Sequence, residues 1–432
     1  MRLNRVVTSG HADVTAGSGP STGSIVDVSD EIESANLEAS TAILLADVGI
    51  GGLGDDDLDT ALDYLEAEAG SGGIWVDNLG NLVVGEISAV EGLTTAGPIV
   101  VSTAGSLSIR EDVTSAANID LSATAGDVGV IDGSSVLAAT NANLLASGSI
   151  AIDGSYVTAT AGMADLDAQG GQLSLINASM VTAFSSITGN AGTDLTIDSG
   201  SGAVAGDDAV LTAGNDLHLT ATSTVQAQDL IAILGDHGNS DPGIGSSIQL
   251  QGILDGQRVE VSGEKDADSI LLQLVNLVGH TQIFGQAGDD LITIDHLVTL
   301  ITAHDRPADG VTGAVQDTVD IDGGEGADDV VVNVTAGRTE YIVNVHDTGT
   351  IGADADVLTI NGTQPLDANH GSGNDLWLLR ERFVAYMTPQ VSLAAGVPPG
   401  TLHPEMERIN YDGTINGRLQ INSLGGDDQF YV

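Results

Sequence analysis

Five short turns place an aspartate at a matching position between glycines and an apolar residue, a pattern suited to holding a cation. The stretch "GGEGADDVV" (residues 323–331) fits the nonapeptide G-G-x-G-x-D-x-U-x, with U aliphatic, at every fixed position. Imperfect copies are "GEKDADSIL" (263–271), "GQAGDDLIT" (285–293), "HGSGNDLWL" (370–378) and "SLGGDDQFY" (423–431). Position six is Asp268, Asp290, Asp328, Asp375 and Asp428 in the five turns, and position eight is Ile270, Ile292, Val330, Trp377 and Phe430. Asp266, Asp289, Asp329 and Asp427 add neighbouring carboxylates, so these nine aspartates are the candidate metal ligands.

The chemistry expected of them is electrostatic. Glycines allow positive φ and let backbone carbonyls face inward. If Asp268 and Asp290 stack on adjacent layers about 5 Å apart, their repulsion is ~0.8 kcal/mol in water and ~3 kcal/mol at an effective dielectric of ~20. A bound cation relieves that cost. Carboxylate and carbonyl oxygens in flexible turns suit calcium, which takes six to eight oxygens, better than magnesium. The competing reading is plain turn chemistry, in which Asp tolerates the left-handed region and bonds its own backbone. Only the first two turns lie 22 residues apart, so the other three are expected to be half-sites, weak or empty.

Elements that could stack such turns are written in the rest of the chain. The runs "SLSI", "DVGVI", "SIAID", "QLSLI", "DLTID" and "DLHLT" begin their apolar pairs at Leu107, Val128, Ile150, Leu173, Leu195 and Leu217. Each has a second aliphatic at i+2, the period of a strand with one buried face. A second series, Leu144, Leu166, Ile187, Val210 and Leu230, has small residues at i+2. Two or more short strands per rung of about 22 residues describe an all-β, parallel β-solenoid. A β-sandwich also gives closely spaced short strands, but does not require every second strand to share one signature. Stacked at ~4.8 Å per rung, such a coil would be a rod roughly 90 Å long.

The chain divides accordingly into residues 1–71 (an irregular segment or first rungs), 72–250 (the regular ladder) and 251–432 (the calcium-type half). Within the first part, Leu58, Ala61, Leu62, Leu65 and Ala69 have helical spacing, giving a short helix over 56–69. Leu44, Leu65, Ile87 and Leu107 equally continue the ladder. Between Leu217 and Ile248 the repeat takes 31 residues, which places a protruding loop at 235–247. Residues 380–410 have no period and contain Pro389, Pro398, Pro399 and Pro404, which reads as a non-repetitive loop. Arg380, Arg382, Arg408 and Arg418 gather around it with Trp377, Tyr386 and Tyr411, as a contact surface for a ligand or as internal ion pairs.

Composition narrows the functional classes. There are 61 acidic against 11 basic residues, a formal charge of −50, and no cysteine. Nucleic acid and anionic membrane surfaces are repelled, and no apolar run is long enough to span a membrane. With 42% hydrophobic but 3% aromatic residues, the core must be built of Ala, Val, Leu and Ile. The N-terminus has two arginines but no apolar stretch of a secretory signal, and "GGDDQFYV" ends mid-repeat, so the chain reads as a segment of a longer one. "GIGGLG" (49–54) is followed by Asp55, Asp56 and Asp57, which would repel a pyrophosphate. The nine His show no zinc spacing. "DIDGGEG" from Asp320 lacks the EF-hand pattern. Asn177, Asn333 and Asn361 match glycosylation acceptors.

The passages "DGGEGADDVVVNVT", "YIVNVHDTG", "DVLTING", "ERINYDG" and "LQINSLGGDDQFYV" make residues 263–432 resemble very large bacterial proteins with repeats-in-toxin, or haemolysin-type, calcium-binding turns. Residues 72–235, with "GGIWVDNLGNLVVG" and "SLSIREDVTSAANIDLSATAGD", resemble the strand repeats of filamentous-haemagglutinin-like adhesins. The resemblance implies a right-handed parallel β-helix or β-roll, export from a Gram-negative cell to its surface or surroundings, and calcium as cofactor. The implied role is a non-enzymatic, adhesive or structural stalk. Its partners would be calcium ions, glycans or proteins of another cell, and neighbouring domains. Two alternatives stand beside it: a β-helical carbohydrate-active enzyme using one of the Asp pairs, and a salt-adapted acidic surface protein without specific calcium sites.

Overall fold

The computed structural model describes residues 1–17, 23–27, 35–53, 56–238, 242–273, 276–295, 297, 318–334, 342–349, 355–362, 376–388, 405–424 and 427–432. The chain is an all-β, parallel β-solenoid, with 43 strands and no helix among the described residues. It divides into two compact units: Met1–Ala213 with Ser223–Gln228, and Gly214–Thr222 with Asp229–Val432.

In the first unit each regular rung has three sides. One side stacks Ile99–Thr103, Ile119–Ala123, Ala142–Ala146, Ala164–Ala168, Ile187–Ala191 and Ala209–Ala213. The next carries the aliphatic pairs expected from the sequence, in the register Leu107, Val128, Ile150, Leu173 and Leu195, all at most 2% exposed. The third side, Val113–Ser115, Ser135–Ala138, Tyr156–Ala159, Met180–Ala183 and Gly202–Ala205, has a thinner Val/Ala signature. Side chains alternate in and out along each strand, so like residues stack on like in the interior, each buried Val, Leu or Ile contributing about 1.5–3 kcal/mol.

The second apolar series is corrected. Leu144 and Leu166 stack on Gly189 and then Leu211, whereas Ile187 stacks on Ala164 and Ala209. A glycine leaves no apolar mark in the sequence, and the neighbouring Ile187 is the residue a pattern search finds. Val210 points outward. Ile87 is likewise outside the ladder, since Leu107 pairs with Leu82.

The helix at 56–69 is also corrected: Leu58–Ala69 is one long strand. Leu58, Thr60 and Leu62 are buried in alternation, the phase shifts at Asp63 and Tyr64, and burial resumes at Leu65, Ala67 and Ala69. That three-residue step produces the helical spacing.

In the second unit, long strands Ile253–Ser262, Asn276–Ala287 and Thr318–Glu325 stack in parallel and continue through Ile342–His346 to Glu405–Tyr411. Beside them run Ser247–Leu250, Ser269–Leu272, Leu291–Asp295, Asp329–Asn333, Val357–Asn361 and Arg418–Asn422. The segment 380–410 is not simply a loop. Phe383–Thr388 lies antiparallel to both Leu376–Arg380 and Glu405–Tyr411, while residues 389–404 fall outside the description.

Candidate functional site

The residue before each short strand of the second unit falls in one vertical column, Ser246, Asp268, Asp290, Asp328 and Asp356. The four aspartates are at most 2% exposed. Each carboxylate reaches back one rung to accept the backbone amide of the column residue there. Asp268 Oδ1 accepts from Ser246 N and from Ser246 Oγ, the latter at 2.8 Å. Asp290 Oδ1 accepts from Asp268 N at 2.7 Å, Asp328 Oδ1 from Asp290 N at 2.9 Å, and Asp356 Oδ1 from Asp328 N at 3.3 Å. The fourth member completes the run from the sequence "IGADADVLT", which keeps only one glycine of the motif.

The second oxygen of every one of these carboxylates, Oδ2, is buried without a hydrogen-bond donor. In three turns it lies against the glycine at position one. A Cβ on Gly263, Gly285 or Gly323 would sit 2.2, 2.3 or 2.4 Å from Oδ2 of Asp268, Asp290 or Asp328. The glycine is therefore required for the space its missing side chain leaves to the carboxylate. Burial, chiefly, pushes all three acids up to about 7. Neighbouring carboxylates add to this, Asp236 and Asp266 at Asp268, Asp268 and Asp289 at Asp290, and Asp290, Asp347 and Asp356 at Asp328, while hydrogen bonds from the adjacent rung oppose it. Asp356 is raised too, again mainly by burial.

These observations test the fit of a cation. Orphaned oxygens stacked in glycine-lined turns match a hard, oxygen-preferring ion. Among the described residues, however, no three carboxylates converge closely enough to hold a metal by side chains alone, so backbone carbonyls would have to supply the rest of any shell. For the third turn alone the expected break in the array is corrected, because Asp268, Asp290 and Asp328 occupy consecutive rungs: Val319 stacks directly on Thr281 despite the long intervening sequence.

The other candidates are placed differently. Asp266 accepts the Gly243 amide at 2.9 Å and Asp289 the Ala327 amide at 2.9 Å, clipping neighbouring turns from outside. Asp329 is exposed at the start of its strand. Asp289/Asp290 and Asp328/Asp329 thus point to opposite faces, as neighbours in extended chain must, and do not form carboxyl pairs across a cleft. Asp427 is exposed and Asp428 half-buried. Asp375 lies outside the described residues. Trp377 and Phe430, the apolar residues of the last two turns, register with each other and not with the main column.

Around Leu376–Arg380, Trp377 and Tyr386 pack inward, while Phe430 is exposed. Trp377 is fully buried, 5.0 Å from the Tyr386 ring and stacked on Phe430 at 6.3 Å. Arg408 lies over Phe383 at 4.6 Å, and Tyr411 donates its hydroxyl to Arg380 O at 2.8 Å. Asn333 and Asn361 belong to an amide ladder: Asn333 donates to Asp295 at 2.8 Å, Asn361 to Asn333 at 2.7 Å, and Asn422 to Asn361 at 2.7 Å.

Sequence reasoning missed Asp356 and Asp347 in the second unit. It also missed a first-unit cluster in which burial first, then Asp57, Asp27 and Asp77, raise Asp59 to about 6. The cluster arises from the direct register of Asp59 on Asp77, which the sequence alone does not reveal. Comparison with protein-family models, with curated proteins and with solved structures gave no match.

Proposed function

We propose that this chain is a structural segment of a large extracellular bacterial protein, a β-solenoid stalk whose second unit is stiffened by calcium at the aspartate column. The observation that carries the reading is the run of Oδ2 atoms of Asp268, Asp290, Asp328 and Asp356, buried on consecutive rungs without donors. A divalent cation in those turns would neutralise like charges that folding otherwise forces together. Asp268, Asp290 and Asp328 would supply one carboxylate oxygen each and the glycine turns their carbonyls. The first unit, with its aliphatic interior, supports a role as spacer, and adhesion to glycans or proteins of another cell belongs to the same proposal.

The test is thermal melting of the purified chain after chelation, titrated with calcium, with magnesium and sodium chloride as controls. The two tryptophans fall one in each unit, Trp75 in the first and Trp377 in the second. Fluorescence of a Trp75→Phe variant therefore reports the second unit alone. A calcium-specific rise in its melting temperature at millimolar ion is expected. An equal rise with sodium chloride would replace the reading by salt adaptation.

A further inference from the structure

The third side of the first unit, built of Val113–Ser115, Ser135–Ala138, Tyr156–Ala159, Met180–Ala183 and Gly202–Ala205, has an outer surface unlike its surroundings. In a chain of formal charge −50, none of these strands contains a charged residue, nor do Leu93–Thr95 and Thr224–Gln226, which continue the side at either end. Inward, Val113, Val136, Val157 and Val181 stack in register and are at most 1% exposed. Equal residues beneath keep the outer face even. Outward, one column runs Thr114, Leu137, Thr158, Thr182 and Val204, and a second runs Ser135, Tyr156 and Met180. Tyr156 is 50% exposed, and Phe184, which follows Met180–Ala183, is 70% exposed. The other sides lack this combination. One turns Asp120, Asp165 and Asp167 outward, and the side of aliphatic pairs shows only Ser108, Gly129, Ala151 and Ser174, which offer a ligand nothing to stack on.

Size, charge and backbone pairing decide what such a face can hold. At ~4.8 Å per rung and ~3.3 Å per residue its footprint is roughly 400 Å², about half of the ~800 Å² that each partner gives to a stable protein–protein interface. A second copy of the chain therefore finds too little area here, and brings its own large negative charge. An extended peptide adding as a strand needs a free edge, but Ser135–Ala138, Tyr156–Ala159 and Met180–Ala183 are each paired on both sides. Anionic polymers are repelled by the chain as a whole, and cationic ones are drawn to the acidic sides and not to this one. A slender, uncharged polymer rich in hydroxyls meets none of these objections. Its hydroxyls exchange hydrogen bonds with Thr and Ser, and its C–H faces lie against Tyr and Phe rings, which give large contact area at little entropic cost.

We infer that this side of the first unit binds a neutral polysaccharide, laid across Tyr156 and Phe184 with the Thr and Ser hydroxyls beside them. Such a surface gives the adhesive part of the proposed stalk, on which it rests, a partner and a place. Calcium does not enter.

The experiment is native gel electrophoresis of the full chain, in chelator, through gels containing dextran, galactomannan or hydroxyethyl cellulose, with alginate as the anionic control. Retardation by at least one neutral polymer and not by alginate is expected. Tyr156→Ala should weaken the binding about tenfold, as the loss of one stacked ring should, and Phe184→Ala should weaken it as well. Both residues are exposed, so neither change touches the core. Leu145→Ala, on another side and 40% exposed, should leave it unchanged. Retardation that the two aromatic variants lose supports the site, even if calcium has no effect on the second unit. Free migration in all the neutral gels overturns it, even if the calcium response stands. Retardation that both aromatic variants keep overturns it too, and a slow band without polysaccharide that Phe184→Ala abolishes would replace the glycan by a second copy of the chain.

Discussion

At the corner that precedes the aliphatic-pair strands, the two units satisfy loose amides with ladders of opposite direction and opposite exposure, although another corner of the first unit has a buried, backward-reaching ladder of neutral serines, Ser179 to Ser155 and Ser201 to Ser179. In the first unit the corner residue lends its side-chain oxygen forward: Asn81 Oδ1 accepts from Ser106 N at 2.9 Å, Ser106 Oγ from Asp127 N at 3.1 Å, Asp127 Oδ1 from Ser149 N at 2.7 Å, and Ser149 Oγ from Gln172 N at 3.1 Å. In the second unit the carboxylate reaches backward, from Asp268 to Ser246 and from Asp290 to Asp268. The first ladder is half-exposed and mixes Asn, Ser and Asp, because water can serve the other lone pairs. The second is buried and, beyond Ser246, uses only Asp. Both demand glycine beside the oxygen: a Cβ on Gly148 would lie 2.2 Å from Asp127 Oδ1, and one on Gly285 2.3 Å from Asp290 Oδ2. Amide satisfaction alone does not call for four buried aspartates, since a neutral Ser or Asn does that work in the first unit. The extra charge is what supports the proposal of an ion at the second ladder.

The largest effect should come from removing one acceptor from each ladder. With calcium saturating, Asp290→Ala is expected to lower the stability reported by Trp377 by about 3 kcal/mol, because the buried amide of Asp268 loses its partner and a void opens. Asp127→Ala should cost about 1 kcal/mol or less by Trp75 fluorescence, since water can reach the freed amide of Ser149. Urea unfolding of both variants decides the matter. Equal costs would break the contrast between a buried and a solvated ladder.

Acid response is the next effect. In the chelated protein Asp268, Asp290 and Asp328 hold their protons up to about pH 7, against 3.8 for an ordinary aspartate. Folding then takes up protons between those values. The resulting stability is complete below about pH 3.8 and is lost as pH rises through 7. The Trp377 transition should therefore move to higher urea as pH falls from 7 to 4, by the order of a few kcal/mol for each carboxylate, and calcium should flatten that slope. The first unit holds Asp59, raised to about 6, and Asp165, also raised by burial, so Trp75 should report a smaller gain. Changing Asp268, Asp290 and Asp328 to Asn should remove most of the difference between the reporters, leaving only the part due to Asp356. A difference that survives undiminished would assign the acid response to net charge instead.

Much of this fold was legible because the informative residues are large. The column from Leu107 to Leu195 stacks aliphatic on aliphatic, so its period can be read directly. The third side was not legible, because its inward residues are Val and Ala and its corners are buried serines such as Ser155 and Ser179, bonded rung to rung at 3.2 Å. The motif located Asp268, Asp290 and Asp328 but could not say that they share one column, which depends on residues 318–325 pairing directly with 281–287 across a long intervening sequence. Asp356 and Asp347 carry too little of the motif to be found by it. Their environment comes from register, which one sequence does not print.

The smallest expected effect concerns the first unit's interior. Gly189 interrupts the column Leu144, Leu166, Leu211 and leaves a small apolar void bordered by Leu173, Leu195 and Leu211. A Cβ there would stand 3.1 Å from the Cδ2 methyls of both Leu173 and Leu211. That is tight, but both contacts are the ends of rotatable side chains bordering empty space. Gly189 lies inside a strand, where glycine carries an extra entropic cost, so alanine gains from the backbone as well as from filling the void. Gly189→Ala should therefore stabilise the unit reported by Trp75 by about 0.5 kcal/mol and leave the calcium response of Trp377 unchanged. Destabilisation would mean the leucines cannot yield, and that the rung spacing here is set by close packing and not by the hydrogen-bonded ladders.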